Sequence, residues 1–246
     1  MVYQSKQNPL IKKIYSLKDK KGRREHGLYI VEGLKMVTEA IKSNQEIDLI
    51  VVKEGVEFSF NKDIELITVS APVFDYLSDE KSPQGVLAVL KMPNLELKSP
   101  KANAILLDGV SDPGNLGTII RTACASGYQD LYLVNCVDPY SNKTVRSSMS
   151  GIYFVNLYRC DYDSAFKVLS NHELIVGDLD GEDLFGYKPK KPYCIAVGNE
   201  ANGISDAVKD KATKILTIPM SENSESLNVA VATSIMMYNL KNSKEN

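Results

Sequence analysis

The sequence predicts an α/β protein with a mostly parallel sheet in its C-terminal part, preceded by a small, separate α/β domain. Three observations support this prediction. Apolar segments of strand length alternate with segments of helical periodicity along the chain. In the second part, strands rich in Val, Ile and Leu lack polar alternation, which is typical of strands buried on both faces. Between the two parts, the segment MPNLELKSPK has two prolines and alternating polarity, which is typical of a linker.

These patterns divide the chain into a first domain over 1–92, a linker over 93–101 and a second domain over 102–246. In the first domain we predict a helix at NPLIKKIYSL, then the segment GLYIVEG, a helix at LKMVTEAIKS and a strand at IDLIVV, with further strands at IELITVS and GVLAVL. In the second domain we predict strands at AILLDGV, LYLVN, IYFVNLY, ELIVGDL, YCIAVGN and KILTIPM. The helices predicted there are NLGTIIRTACASG, KTVRSSMSG, DSAFKVLS and SLNVAVATSIMMYNL.

Composition limits the classes of protein to consider. With 24% charged residues and no apolar run of membrane-spanning length, the chain is typical of globular proteins without a membrane partner. The N-terminus lacks the apolar region of a secretory signal. The four cysteines form no C-x-x-C pair, which argues against a zinc site or a disulfide framework and favours the cytoplasm.

Charge is distributed unevenly along the chain. Residues 1–44 contain ten Lys/Arg and four Asp/Glu, a net charge of +6, so the rest carries −8 of the total of −2. A basic end on an acidic body indicates a polyanionic partner such as RNA. The alternative is a lysine-rich helix face that only keeps the protein in solution.

Three polar segments follow strands of the predicted parallel sheet: DGVSDPGN, GNEANGIS and PMSENSESLN. Ligands of such sheets bind beyond the carboxyl ends of the strands, so these segments are the predicted binding site. The sequence contains neither a P-loop nor a G-x-G-x-x-G fingerprint, and its two histidines have no catalytic or metal-ligand spacing. We therefore expect chemistry without histidine, thiolate or metal.

Within DPGNLGTIIRTA we expect Asn115 to cap a helix that starts there. Its apolar face follows helical spacing and comprises Leu116, Ile119, Ile120, Ala123 and Cys124. Arg121 lies off that face, at the mouth of the sheet, where a guanidinium suits a phosphate or a developing oxyanion. Capping alone would explain Asn115, and a role in the ligand site is the alternative.

In the second segment, Gly198 ends a strand, and Asn199, Asn202 and Gly203 permit positive φ. One interpretation is a tight turn, and the other is a bare loop through which a flat ring approaches the backbone N–H and C=O groups. Glu200 is expected to cap the next helix or to orient a neighbour. In the third segment, the sequence from Ser224 to Ser226 predicts the start of the last helix. That helix is apolar almost all round, so we expect it to be buried in the core or at an interface.

Together DGVSDPGNLGTIIRTACASG, IAVGNEANGIS and IPMSENSESLNVAVATSIMMY resemble the SpoU/TrmH family of RNA ribose 2′-O-methyltransferases, within the SPOUT class. The segment YIVEGLKMVTEA resembles an L30e-like RNA-binding domain. The resemblance implies a deep trefoil knot in the second domain and a homodimer formed through it. It also implies S-adenosylmethionine as methyl donor, without metal, bound at Gly198, Asn199, Ile218, Met220 and Leu227.

The same resemblance makes Arg121 the central catalytic residue, surrounded by Asn115, Glu200, Ser226 and Asn228. A guanidinium is essentially always protonated, so we favour binding of phosphate and of the forming 2′-oxyanion over action as a base. RNA would be held by the basic side chains Lys12, Lys13, Lys20, Lys21, Arg23, Arg24, Lys143 and Arg146.

The N-terminal domain favours rRNA over tRNA as the substrate. Two other functions stay open at this point. One is an RNA-binding or ribosome-assembly factor that kept the fold and lost catalysis. The other is a nucleotide-binding enzyme of flavodoxin-like type, which the absent phosphate loops disfavour.

Overall fold

The computed structural model describes the backbone of residues 1–242 and the side chains of residues 1–241. Contacts within the chain divide it into two compact units. The first unit comprises 1–94 and 140–153, and the second comprises 95–139 and 154–246. The segment 140–153 thus belongs to the N-terminal unit, although it is distant in sequence. The single division at 93–101 remains a prediction.

The first unit contains a five-stranded sheet in the order β1-β4-β3-β5-β2, in which β5 runs antiparallel to both of its neighbours. Its strands are β1 Val2–Tyr3, β2 Leu28–Glu32, β3 Ile47–Lys53, β4 Leu66–Val69 and β5 Val86–Lys91. Its helices are α1 Pro9–Ser16, α2 Lys20–His26, α3 Leu34–Lys42, α4 Ala71–Leu77 and α6 Asn142–Ser148, the last followed by a 3-10 helix over Met149–Tyr153. The five helices and strands predicted for this region from the sequence are present. The sequence analysis missed β1, α2 and α4, which are short.

The second unit contains a six-stranded sheet in the order β11-β9-β10-β6-β7-β8, in which every neighbouring pair is parallel. The strands are β6 Ala104–Asp108, β7 Asp130–Val134, β8 Asn156–Arg159, β9 Glu173–Asp183, β10 Tyr193–Val197 and β11 Lys214–Thr217. The helices are α5 Pro113–Ser126, α7 Tyr162–Leu169, α8 Asp206–Lys209 and α9 Val229–Asn242, with a 3-10 helix over Leu184–Gly186. The parallel sheet predicted from the apolar strands is confirmed, and the trefoil knot stays a prediction.

Strands β6, β7 and β10 are buried along their whole length, because helices cover both faces of this sheet. On α5, Leu116, Ile119, Ile120 and Ala123 are fully buried as their spacing predicts. Cys124 is half-buried, at the edge of that face. The helix ends at Gly127, which has a left-handed φ of 82°.

Helix α9 packs against α5 and against the central strands β9 and β10. Its inward side is apolar and buried, with Ala230, Met236, Met237 and Leu240 each at most 2% exposed. The predicted burial of the last helix is therefore confirmed for one side, while Val231 and Tyr238 remain exposed on the other. None of the helices in the described part of the chain has the length and hydrophobicity that a membrane span requires.

Candidate active site

The second unit has a cavity of about 500 Å³ beyond the carboxyl ends of β10 and β11. The volume lies within the range of small-molecule sites, about 300–1,000 Å³. Eight residues predicted from the sequence line it: Gly198, Asn199, Glu200, Ile218, Met220, Ser226, Leu227 and Asn228. The structure thus brings the second and third polar segments together around one cavity.

The base of this cavity is apolar and closely packed. Val197, Leu216 and Met236 line it and are each at most 3% exposed. A Cβ atom built on Gly198 would lie 2.2 Å from the backbone carbon and oxygen of Gly203, so only glycine fits there. The two chain segments of the wall consequently meet backbone to backbone.

The turn after β10 is held by its own hydrogen bonds. Asn199 and Gly203 exchange backbone hydrogen bonds of 2.8 and 2.9 Å, and Gly203 has a φ of 70°. The Asn199 amide Nδ2 donates to the carbonyl of Gly109 at 2.8 Å, while its Oδ1 accepts from the backbone N–H groups of Ala201 and Asn202. The Asn199 side chain therefore fixes the turn and ties it to the loop after β6.

The Glu200 carboxylate binds the loop that leads into α5. Its Oε2 accepts from the backbone N–H and the hydroxyl of Ser111, at 3.1 and 2.8 Å. Its Oε1 accepts from the backbone N–H of Asp112 at 3.1 Å and from Nδ2 of Asn115 at 2.9 Å. Partial desolvation favours the neutral form, but these hydrogen bonds outweigh it and hold the pKa of Glu200 at about 2. Glu200 is thus an anion at neutral pH, and it orients its neighbours rather than capping α8.

The prediction that Asn115 caps α5 is wrong. Asp112 is the capping residue, and its side chain accepts from the backbone N–H of Asn115 at 2.8 Å. Pro113 then occupies the first helical position, where its missing N–H is not needed. The Asn115 side chain is therefore free to bridge Glu200 and Asn228, whose Nδ2 donates to Asn115 Oδ1 at 2.9 Å.

The predicted start of the last helix at residues 224–226 is also wrong. Helix α9 begins at Val229, and Oδ1 of Asn228 accepts from the backbone N–H groups of Ala230 and Val231 at 2.9 and 3.3 Å. Asn228 is thus the cap. Ser226 lies in the irregular segment before it, exposed and lining the cavity.

Arg121 lies on α5, exposed and outside the residues that line the cavity. It follows Asn115 by six residues, about 9 Å along the helix axis. Within the described residues, no hydrogen bond or ion pair holds its guanidinium. The charge is therefore available to a ligand, as the sequence predicted from its position off the apolar face.

Asp108 was not singled out by the sequence analysis, although it ends β6 at the edge of the site. It is buried, and its two oxygens accept from the hydroxyl of Tyr162 and from the backbone N–H of Ser205, each at 2.7 Å. It thereby anchors the chain leaving the cavity wall. The signal available in the sequence was a carboxylate at the end of an otherwise apolar strand.

The basic residues predicted to hold RNA differ in their surroundings. Lys20, Lys21 and Arg24 are exposed on α2. Arg23 is 3% exposed, and its guanidinium donates to the carbonyls of Leu17 and Lys18, so it stabilises the α1–α2 turn instead of presenting charge.

Helix α6 contributes two more of the predicted RNA-binding residues, both exposed. Lys143 lies in its first turn and Arg146 in its last. Arg146 forms an exposed ion pair of 3.3 Å with Glu80. Such pairs are weak, so a phosphate can compete for the guanidinium.

Comparison with known families identifies the chain. A model described as the SpoU rRNA Methylase family matches residues 102–238. The chain belongs to the SpoU rRNA methylase family. A second model, described as an MRM3-like substrate binding domain, matches residues 8–88.

Individual relatives and solved structures support the same family assignment. The chain is 30% identical over 244 residues to the 23S rRNA (guanosine(2553)-2′-O)-methyltransferase RlmP of Bacillus subtilis, covering 97% of this chain and 98% of that one. An AdoMet-bound rRNA methyltransferase from Sinorhizobium meliloti superposes with a TM-score of 0.87 at 30% identity, over 97% of both chains. The SpoU methyltransferase AviRb from Streptomyces viridochromogenes has the same fold, with a TM-score of 0.89 at 23% identity over 98% of this chain and 99% of that one.

Proposed function

We propose that this SpoU family protein transfers the methyl group of S-adenosylmethionine to a ribose 2′-hydroxyl in rRNA. The observation that carries the proposal is the site itself, in which the network of Asn115, Glu200 and Asn228 joins three strand ends beside a small-molecule cavity. The relatives named as rRNA methyltransferases support the substrate.

The cavity suits the methyl donor in size and chemistry. Its volume of about 500 Å³ accommodates a nucleoside with an amino-acid side arm. Apolar side chains including Ile218 and Leu227 line it beside the exposed backbone of the turn at Gly198. This combination fits a flat base that is recognised through main-chain groups.

S-adenosylmethionine supplies an already activated methyl group and leaves as the neutral thioether. The protein has mainly to align the ribose, to let its 2′-hydroxyl release a proton to solvent and to stabilise charge on the 2′-oxygen. Glu200 stays anionic and holds Asn115 in place, which in turn orients Asn228 at the rim of the cavity. Arg121 carries a permanent positive charge without a partner in the described residues, and we assign it to the adjacent phosphate and the forming oxyanion.

We further propose a homodimer formed through the second unit. On α9, Val231 is 48% and Tyr238 is 45% exposed. They are seven residues apart and so lie on the same side of the helix. An exposed apolar stripe of this kind favours an interface. Light scattering should give twice the chain mass for the wild type, and the double variant Val231→Glu, Tyr238→Glu should give the single-chain mass.

We place the RNA backbone on the basic residues of the first unit that reach solvent, namely Lys12, Lys13, Lys20, Lys21, Arg24, Lys143 and Arg146. We place the protein in the reducing cytoplasm, because all four cysteines are free thiols. A tRNA substrate and a catalytically silent binding factor are the alternatives that the following experiment separates.

The test is transfer of labelled methyl from S-adenosylmethionine to purified rRNA and tRNA, followed by nucleoside analysis. We expect a 2′-O-methylnucleoside in rRNA for the wild type and a loss of at least about 100-fold for Arg121→Ala, as for removal of an oxyanion-stabilising group.

The matched control is Thr118→Ala, at an exposed position of the same helix. The Thr118 hydroxyl donates only to the backbone carbonyl of Gly114, so its loss should leave methyl transfer close to the wild-type rate. Transfer to tRNA in place of rRNA would favour the first alternative. Donor binding without transfer to any RNA would favour the silent factor.

A further inference from the structure

Tyr15 and Tyr76 form an aromatic pair at the surface of the first unit. Tyr15 lies on α1 and is 37% exposed, and Tyr76 lies on α4. Their ring centroids are 4.0 Å apart and their planes differ by 4°. Tyr76 packs against the apolar core of the unit. One face of each ring is therefore covered by the other ring, and Tyr15 is the member of the pair that reaches solvent.

Two ammonium groups accompany the rings. Nζ of Lys18 is 5.2 Å from the centroid of Tyr15, and Nζ of Lys6 is 5.1 Å from the centroid of Tyr76. Aromatic rings prefer offset or edge-on packing, because stacked π-faces repel each other. Cations within about 6 Å of the rings offset that repulsion. The lysines thus help to keep the tyrosines parallel.

Lys18 is fixed in this position. Its Nζ donates to the carbonyls of Tyr76 and Ser78 at 3.0 and 2.8 Å and pairs with the Asp79 carboxylate at 2.9 Å. The ammonium group therefore connects the turn after α1 to the end of α4. The aromatic pair and its cation are one preformed arrangement rather than a chance meeting of mobile side chains.

The surroundings of Tyr15 are basic. Residues 6–24, which include α1 and most of α2, contain eight Lys/Arg and one acidic residue, and of these basic residues only Arg23 is buried. Beside Tyr76, the carboxylates of Asp75 and Asp79 are paired with Lys53 and Lys18. Aromatic rings beside a positive surface are the combination with which proteins bind single-stranded nucleic acid, because bases stack on the rings and phosphates meet the charges.

We propose that Tyr15, supported from behind by Tyr76, is a stacking platform for an unpaired base of the RNA substrate. This inference rests on the proposed function for the identity of the polymer. It adds a contact to bases where the basic residues supply contacts to phosphates only. Proteins that recognise RNA commonly select such splayed, unpaired bases.

The chain contains no tryptophan, so Tyr15→Trp introduces a single fluorescent reporter into the platform. The probes are a short single-stranded oligoribonucleotide and an abasic strand with the same number of phosphates. We expect the first to quench the reporter and the second to leave its emission unchanged.

Binding constants for the same two probes give the decisive comparison. Tyr15→Ala should weaken binding of the base-containing strand about tenfold or more and leave the abasic strand unaffected. Tyr15→Phe, which keeps the ring, should bind both as the wild type does. Lys12→Ala, on the same helix, should weaken both strands alike.

Equal losses for both strands in Tyr15→Ala, or no loss for either, would overturn the platform. The melting temperature of each variant checks its folding, and Tyr15→Phe and Tyr15→Trp keep the test valid if the alanine variant is unstable. Binding is measured without methyl donor, so a failure of methyl transfer contradicts the proposed function and leaves the platform result standing. Wild-type methyl transfer with an unchanged KM for RNA in Tyr15→Ala would contradict the platform alone.

Discussion

Replacement of Gly198 by alanine is expected to distort the cavity wall. The new Cβ would lie 2.2 Å from the backbone carbon and oxygen of Gly203 and 2.3 Å from the backbone nitrogen of Ile204. Favourable contacts between carbon atoms occur at about 3.5–4.0 Å. The two backbone segments must therefore separate by more than about 1 Å, since no flexible side chain is available to move aside.

Overpacking of this kind lowers the free energy of unfolding by about 1–3 kcal/mol. We expect Gly198→Ala at the upper end of this range, because the atoms in the way belong to the backbone. A loss of about 3 kcal/mol corresponds to a fall in Tm of roughly 6–12 °C for a chain of this size. Since the displaced turn is a wall of the donor cavity, methyl transfer should fall about 100-fold as well, as expected for a misplacement near 1 Å.

The test measures the Tm of Gly198→Ala by calorimetry and its affinity for S-adenosylmethionine by titration. Gly186→Ala is the matched control, because its Cβ would meet nothing within 4 Å. Gly177→Ala is the intermediate case, since its Cβ would meet Sδ of Met236 at 2.6 Å on a flexible side chain. An unchanged Tm and donor affinity for Gly198→Ala, or equal losses for Gly186→Ala, would refute the reasoning.

Three further predictions concern the hydrogen bonds around the site. The pKa of Glu200 is lowered from 4.5 to about 2, so its contribution to stability is present above pH 4.5 and is lost as the pH falls towards 2. Because the carboxylate is exposed, we expect about 1 kcal/mol or less, measured as a difference in acid unfolding from Glu200→Gln. Asp108→Asn should cost about 1–3 kcal/mol of unfolding free energy, since the NH2 group that replaces one buried acceptor oxygen would face a hydrogen-bond donor. An unchanged Tm would contradict this. In a double-mutant cycle, Asn115→Ala and Asn228→Ala should lower kcat less together than the sum of their single effects, whereas strict additivity would show that they act independently.

The positions of the site loops follow from the sequence, because buried parallel strands bring their carboxyl ends to one edge of a sheet. The N-cap residues of α5 and α9 could also have been predicted from known capping preferences. Both Asp112 and Asn115 are good caps, and Pro113 decides between them because proline prefers the first helical position. Asn228 stands directly before the apolar run of α9 and was an equally available cap.

Other features have no local signal in the sequence. Burial of Arg23 within a run of basic residues depends on the turn that brings its guanidinium to the carbonyls of Leu17 and Lys18. The contact of Lys18 with Tyr76 joins positions 58 residues apart. The packing of 140–153 with the first unit likewise depends on the tertiary fold.

The most direct test of the account compares 2′-O-methylation of rRNA in cells with and without the gene. We predict that one ribose methylation disappears on deletion, returns with the wild-type gene and fails to return with Arg121→Ala at equal protein level. An rRNA methylation pattern that is identical in the two strains, or that Arg121→Ala restores in full, would contradict the central claim.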